Sequence, residues 1–386
     1  MIKTIKVMLL PNNKQRTKLF ASAGAARFAY NWALAYEKDN HLNGGHFLSD
    51  GQLRKKLTKL KKTDEFNWLN NYSNNITKQA VKDACTAYCN FFKKQCKFPR
   101  FKSRKKSKQS FYVDTDKIQF LCTHVKLEKL TNSRKTNKQR FNWIKVSERN
   151  RISLEGKYVN PRVTFDGINW WISVGIEVSD NTELPQNDGI GIDFGLKKLA
   201  VCSDENTYEN INKTYEIKRL RKKQRRLQRR ISKKYLINKE GDSYCKTSNI
   251  IKSERKLLKL NHRLSGIRHN YFHQITSGIT KRKPSFIVVE DLNVTGMMKN
   301  KHLAKAVQEQ CFYEFYRQLK YKAYWNNVKF IEAPRFYPSS KLCCVCGNIK
   351  SDLKLKDRIY HCSCGNIIDR DYQASVSLYN YGKGTA

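Results

Sequence analysis

The order of apolar and polar positions predicts strands and helices whose character changes near the middle of the chain. Ile2 to Leu10 alternates charged and apolar residues and predicts a strand, stopped by Pro11, with Asn12 or Asn13 able to cap the helix that follows. That helix is expected from Lys14 to about Asp39, anchored by Leu19, Phe20, Phe28, Trp32 and Leu34. A second is expected from about Asn75 to Phe92, where Ile76, Ala80, Ala84, Ala87, Tyr88 and Phe91 recur at three-to-four spacing. Ser110 to Val178 reads as β-rich: Trp170 to Val178 is short, β-branched and aromatic, with turn residues on both sides. Leu184 to Asn187 reads as a linker and marks the expected main boundary.

Beyond it, Gly189 to Asp204 predicts two strands meeting at Gly195. Long helices are expected over Ile217 to Lys234 and about Ser253 to Thr280, either paired as a hairpin or both laid on a sheet. Ser285 to Leu292 is an unbroken apolar run ending in acids, the pattern of a buried parallel strand. A helix over about Gln308 to Trp325, a strand at Val328 to Ile331 and a short last helix complete the pattern. Strands alternating with helices predict an α/β second half.

Composition narrows the function. Against 33 Asp and Glu stand 76 Lys and Arg, a formal charge of +43 on 386 residues. Such a charge opposes compaction unless a polyanion neutralises it, and nucleic acid is the partner this implies. The cations are also clustered. No acid lies between Asp83 and Asp114, and eleven of the seventeen residues from Lys218 to Lys234 are basic. In that helix Ile217, Leu220, Leu227 and Ile231 form a packing seam, which leaves Arg219, Lys222, Arg226 and Arg230 for nucleic acid. On the helix from Asn75, Lys78, Gln79 and Lys82 share a polar face, and Lys and Gln are side chains that reach base edges in the major groove. Nothing approaches eighteen consecutive apolar residues, and the N-terminus lacks the apolar core of a signal peptide. The expectation is an intracellular protein with no membrane partner.

Three acids stand out by position. Asp193 lies in an apolar strand, Glu290 ends another, and Asp371 opens the last helix. Buried carboxylates are costly unless paired with cations, and two Mg²⁺ ions about 4 Å apart can activate water and stabilise the leaving oxygen of a phosphodiester. Of twelve cysteines, Cys343-x2-Cys346 and Cys362-x-Cys364 are separated by fifteen residues, and each pair precedes a glycine. That is the layout of a zinc ribbon, four thiolates around one structural Zn²⁺. Cys344 and His361 are the neighbouring alternatives as ligands.

The segments Gly189–Val201, Ile287–Val294, Tyr337–Gly347 and Asp369–Gly382 together resemble the TnpB family of transposon-encoded proteins, related to compact type V CRISPR effectors. The resemblance implies an α+β N-terminal half followed by an α/β RNase H-like (RuvC) nuclease domain with an inserted zinc ribbon. Residues 1–18 and 110–186 would form a β-barrel wedge domain and 19–109 a helical recognition domain. The nuclease domain would span 187–336 and 367–386, with the ribbon at 337–366. It further implies an endonuclease that binds a guide RNA from the transposon end, one protein per RNA. Target double-stranded DNA would be cut beside a short adjacent motif, with sequence read by base pairing. Asp193, Glu290 and Asp371 would bind the magnesium, and Lys78, Gln79 and Lys82 would lie where duplex DNA approaches. The setting implied is the prokaryotic cytoplasm, at the nucleoid when bound to DNA. A guided DNA-binding regulator without cleavage, and a transposase that transfers strands itself, are the competing readings. Gln373 departs from the family, which often has Asn there, and the second cysteine pair is tighter than usual.

Overall fold

A computed structural model describes residues 1–131, 139–153, 156–179, 183–354 and 357–385. The chain divides into two compact units, Met1–Ser179 and Asp180–Ala386.

The first unit is built on β1 (Ile2–Leu10), β2 (Ser110–Tyr112), β3 (Gln119–Phe120), β4 (His124–Lys126), β5 (Trp143–Val146), β6 (Tyr158–Phe165) and β7 (Trp170–Glu177). They form one antiparallel sheet in the order β2-β6-β7-β1-β5-β4-β3. The chain's first strand is therefore central, paired along its length with its last, β7. The edges β2 and β3 are three and two residues long and do not pair with each other. Among the described residues the sheet is open, where a closed barrel was expected; edges this short supply too few ladder bonds to close one.

Helix α1 (Asn13–Leu42) starts with a capping box: Asn12 Oδ1 accepts from the Gln15 amide at 2.8 Å, and Gln15 Oε1 accepts from the Asn12 amide at 3.0 Å. The Gln15 side chain also donates to the carbonyls of Phe141 and Trp143, which ties the helix start to the sheet. Helix α3 (Asn74–Phe92) packs on α1, and the many alanines on their facing sides, such as Ala26, Ala29, Ala80 and Ala84, suit a close approach. Between them lies α2 (Asp50–Leu60), which the pattern of apolar residues did not announce: it buries only Leu53 and Leu57. The basic segment after α3 contains no strand or helix before Ser110, yet Asn31 brackets the Lys102 backbone with two 2.8 Å hydrogen bonds and the Lys102 ammonium sits 3.5 Å from the centre of the Tyr30 ring.

The second unit carries a five-stranded sheet, β10-β9-β8-β13-β14. The hairpin strands β8 (Ile190–Phe194), β9 (Lys198–Cys202) and β10 (Thr207–Glu209) are antiparallel. Strands β13 (Phe286–Glu290) and β14 (Lys329–Ala333) run parallel to β8. Between these two groups the chain makes α4 (Tyr215–Ile237), a small hairpin β11 (Lys239–Glu240) and β12 (Ser243–Tyr244), and α5 (Ser248–Lys281). Of the two expected arrangements of the long helices the hairpin occurs, and only α5 continues onto the sheet. Ile217 and Leu220 pack on Leu260 and Leu264 as a helical hairpin, and the later part of α5 lays Phe272, Ile275 and Ile279 on the sheet.

The helix expected from Gln308 to Trp325 is in fact two, after the short α6 (Val294–Lys299): α7 (Ala304–Gln310) and α8 (Phe312–Trp325), broken at Cys311 with φ +52°. The break turns Gln310 inward, where its amide donates to the Gly195 carbonyl at 2.7 Å, while Phe312 still reaches the core. The last helix, α9 (Arg370–Thr385), lies directly on β8 and β13. A Cβ on Gly191 would stand 2.1 Å from the Ser375 carbonyl oxygen and 2.4 Å from the Tyr379 nitrogen, so only glycine allows backbone to meet backbone here.

Candidate active site and metal centre

The sheet register brings two of the acids together. Ile192 stands opposite Val289 across the parallel pair, so the next residues, Asp193, one short of the end of β8, and Glu290, the last of β13, lie side by side. Alternation puts Asp193 on the face of Gly191, the face covered by α9, and Glu290 on the face of Val288, which meets Gly382 of the same helix. Helix α9 carries Asp371 in its first turn. Its start is capped by Asp369, whose Oδ1 accepts from the backbone amides of Asp371 at 3.0 Å and Tyr372 at 3.1 Å. Two acids far apart in sequence thus stand side by side at one end of the sheet, and a third, Asp371, is near enough for its charge to act on Asp193.

Their electrostatics agree with that placement. Burial, and then the charges of Glu290 and Asp371, push the Asp193 carboxyl well above its ordinary range, with Arg370 pulling it down. Burial also raises Glu290, opposed by the Ser339 hydroxyl, which donates to its carboxylate. Like charges gathered in a poorly solvated place favour a bound cation or a proton. Beside Glu290 a cavity of about 390 Å³ opens, lined in part by Phe194, Asn293, Phe312, Tyr313 and Arg335. Neither this cavity nor Ser339 was legible as part of the site, because each comes from segments that meet only in the fold.

The cysteines form the second centre. Among the described residues, Cys343, Cys346, Cys362 and Cys364 are the group of His, Cys, Asp or Glu side chains whose ligand atoms all lie within 4.8 Å of one another. The Sγ atoms of Cys343 and Cys364 are 3.7 Å apart, and those of Cys346 and Cys362 are 3.5 Å apart. A tetrahedron with zinc–sulfur bonds of about 2.3 Å has edges of about 3.8 Å, so the four sulfurs fit one Zn²⁺. Burial alone would raise the Cys343 thiol; the backbone amides of Cys346 and Val345 and the Asn366 amide outweigh it and bring it down to about 6. Gly347 and Gly365, with φ of +75° and +89°, make the two turns. Cys344 stands outside the cluster, its thiol donating to Gln373 Oε1 at 3.0 Å. Strands β15 (Ile359–His361) and β16 (Ile367–Asp369) pair antiparallel.

The basic residues occupy exposed positions. Arg219, Lys222, Arg226 and Arg230 lie exposed along α4, whose buried side is Ile217, Leu220 and Ile231. Lys78 and Lys82 are exposed on α3, whereas Gln79 is half-buried and donates to Asp83 at 2.9 Å. Asp83 in turn is held by Arg162 through two 2.8 Å bonds. The three residues therefore do not present one equivalent face.

Three family models match in chain order. "Helix-turn-helix domain" (HTH_OrfB_IS605) covers residues 1–46, "Probable transposase" (OrfB_IS605) covers 172–301, and "Cas12f1-like, TNB domain" covers 312–378. In this structure residues 1–46 make strand β1 and one long helix. The chain is 29% identical over 377 residues to the Escherichia coli K12 protein named "Putative RNA-guided DNA endonuclease InsQ", covering 94% of this chain and 87% of that one. A Streptomyces pristinaespiralis protein named "Putative RNA-guided DNA endonuclease" is 28% identical over 381 residues, 98% and 89% of the two chains. The fold is shared with the protein in a solved Cas12f1–sgRNA–target DNA complex, at TM-score 0.55 and 11% identity over 98% and 99% of the two chains. These likenesses define a protein of the OrfB class found in insertion sequences. The chain belongs to the TnpB family.

Proposed function

We propose that this protein is an RNA-guided DNA endonuclease whose chemistry is metal-dependent hydrolysis at Asp193, Glu290 and Asp371. The observation that carries the reading is the meeting of these acids at one end of the second unit's sheet, where Glu290 and Asp371 raise the Asp193 carboxyl. The strand order, three antiparallel strands followed by two parallel ones, supports an RNase H-like domain at 187–336 and 367–386. The ribbon is its insertion. Residues 1–18 and 110–186 serve as the wedge domain and 19–109 as the recognition domain. The names of the relatives agree with this activity, and no helix among the described residues is long and apolar enough to cross a membrane. The place of action proposed is the prokaryotic cytoplasm.

In the mechanism, two Mg²⁺ ions held by the carboxylates would supply the charge that activates water and stabilises the leaving oxygen. The chain's own part is placement. Parallel register sets Asp193 beside Glu290, Ser339 orients the Glu290 carboxylate, and the Asp369 cap holds the turn that presents Asp371. Cys343, Cys346, Cys362 and Cys364 would hold one Zn²⁺ with four thiolates, and its role would be structural. Base pairing with the guide selects the sequence, and the cations of α4 hold backbone phosphates. The test is to sequence the RNA that co-purifies and to programme it against a new target. Guided cutting of the new target is expected; binding without cutting would favour a regulator, and joined strands a transposase.

Lys78, Gln79 and Lys82 are proposed to read the adjacent motif. Because Gln79 is engaged by Asp83, the outward Lys78 is the better probe, with Gln79→Ala for comparison. Lys78→Ala is expected to change which motif survives a depletion assay, since a good base contact contributes about 1–3 kcal/mol of discrimination. An unchanged motif with evenly weakened targets would make Lys78 a phosphate contact instead.

A further inference from the structure

Helix α9 buries Gln373, Ser375 and Ser377 completely, an unusual density of polar side chains for a helix lying on a sheet. Gln373 uses its full bonding capacity. Its Oε1 accepts from the Cys344 thiol at 3.0 Å and from Asn366 Nδ2 at 3.3 Å. Its Nε2 donates to the Leu342 carbonyl and to Ser377 Oγ. Ser377 Oγ also donates to the Leu342 carbonyl at 3.0 Å, and Asn380 Nδ2 to the Cys344 carbonyl at 3.0 Å. The same Asn366 amide lies 3.6 Å from the sulfur of Cys343. One helix thus grips the first cysteine turn at three points, Gln373, Ser377 and Asn380, the first of them two residues after Asp371. A second connection leaves the same segment: Ser339, four residues before Cys343, donates to Glu290.

The two centres are therefore not independent modules. A buried amide with four partners can be satisfied in one geometry, because any shift of the cysteine turn strands several polar groups away from water. We infer that Gln373 is a positioning residue that couples the four-cysteine centre to the carboxylate centre, so that the ribbon's set of bonds fixes Asp371 and, through Ser339, Glu290 for divalent cations. This rests on the nuclease reading and adds that the ribbon acts on metal binding at the carboxylates as well as on folding. Partners that orient a ligand from outside its coordination sphere typically change metal affinity by about 10–100-fold when removed.

The test uses the full chain with its co-purified RNA and Mn²⁺ as the probe. Mn²⁺ binding is titrated by electron paramagnetic resonance in the wild type and in Gln373→Met, which keeps volume but cannot make the four bonds. Zinc content and guided DNA binding are measured on the same samples. The expected result is Mn²⁺ affinity weakened about tenfold or more and a matching rise in the Mg²⁺ needed for half-maximal cleavage. Zinc and DNA binding stay at wild-type levels. Gln373→Asn, which restores a shorter amide, is expected to recover part of the affinity, and Ser339→Ala to weaken it through Glu290. Wild-type Mn²⁺ affinity in Gln373→Met would overturn the inference. If Gln373→Met does not fold, wild-type affinity in both Gln373→Asn and Ser339→Ala overturns it instead. Failure of the nuclease reading looks different: the wild type itself would then show no Mn²⁺ sites that vanish in Asp193→Ala.

Discussion

Asp193→Ala is expected to abolish DNA cleavage while leaving guided DNA binding within experimental error of the wild type. Asp193 is the penultimate residue of a central strand, with Glu290 beside it and the Asp371 charge acting on it. Its removal costs the site a carboxylate for cations, whose stabilisation of the transition state amounts to several kcal/mol. A loss of about 4 kcal/mol is about a thousandfold in rate. Glu290→Ala and Asp371→Ala should do the same, because each supplies one wall of a single charge cluster. Cleavage time courses and binding titrations on the same ribonucleoprotein check this. Asp369→Ala is the informative control. Its carboxylate caps α9, so it should lower activity less than Asp371→Ala. Wild-type cutting by any of the three principal variants would take that residue out of the site.

Cys343→Ser or Cys362→Ser is expected to lower zinc from one ion per chain to a small fraction and to loosen the region from Lys341 to Asp369. The sulfur spacings of 3.5 and 3.7 Å suit a tetrahedral ion. Structural zinc in small finger peptides contributes about 10–16 kcal/mol of apparent binding energy, all of it available to folding. The hairpin of β15 and β16 buries little besides Tyr360 and has few other means of holding its shape. Elemental analysis and amide exchange across the hairpin measure the two effects. Cys122→Ser, at an exposed cysteine outside the cluster, should leave both unchanged. Full zinc content in Cys343→Ser would redirect the ligand set to Cys344, which now bonds Gln373.

Much of this site was readable before the fold because its chemistry is local. The two cysteine pairs carry their own turn glycines, so spacing alone announces convergence. The strands carrying Asp193 and Glu290 are apolar runs, and an acid within or closing such a run is conspicuous wherever it falls. The long helices α1, α3, α4 and α5 announced themselves through sustained periodicity, and Asn12 through its cap. What escaped was short, weakly apolar or dependent on distant partners. Helix α2 buries two leucines in eleven residues, too few for a period to register. The break at Cys311 accompanies a hydrogen bond from Gln310 to Gly195, far away in sequence, and the local pattern still reads as one helix.

The sequence by itself determined which residue types bear charge, thiolate and apolar surface, because composition and period are properties of the chain read in order. It thereby determined a polyanion-binding protein with a thiolate metal centre and three well-placed acids. Only the tertiary structure decided that Asp193 and Glu290 stand side by side with the charge of Asp371 acting on Asp193. That outcome depends on the parallel register of β8 and β13 and on a helix seated against Gly191, contacts between segments about a hundred residues or more apart. The roles of Ser339 and Gln373 were decided there too: a serine or glutamine has no distinctive pattern of its own, and its meaning comes from the partners that burial forces it to satisfy.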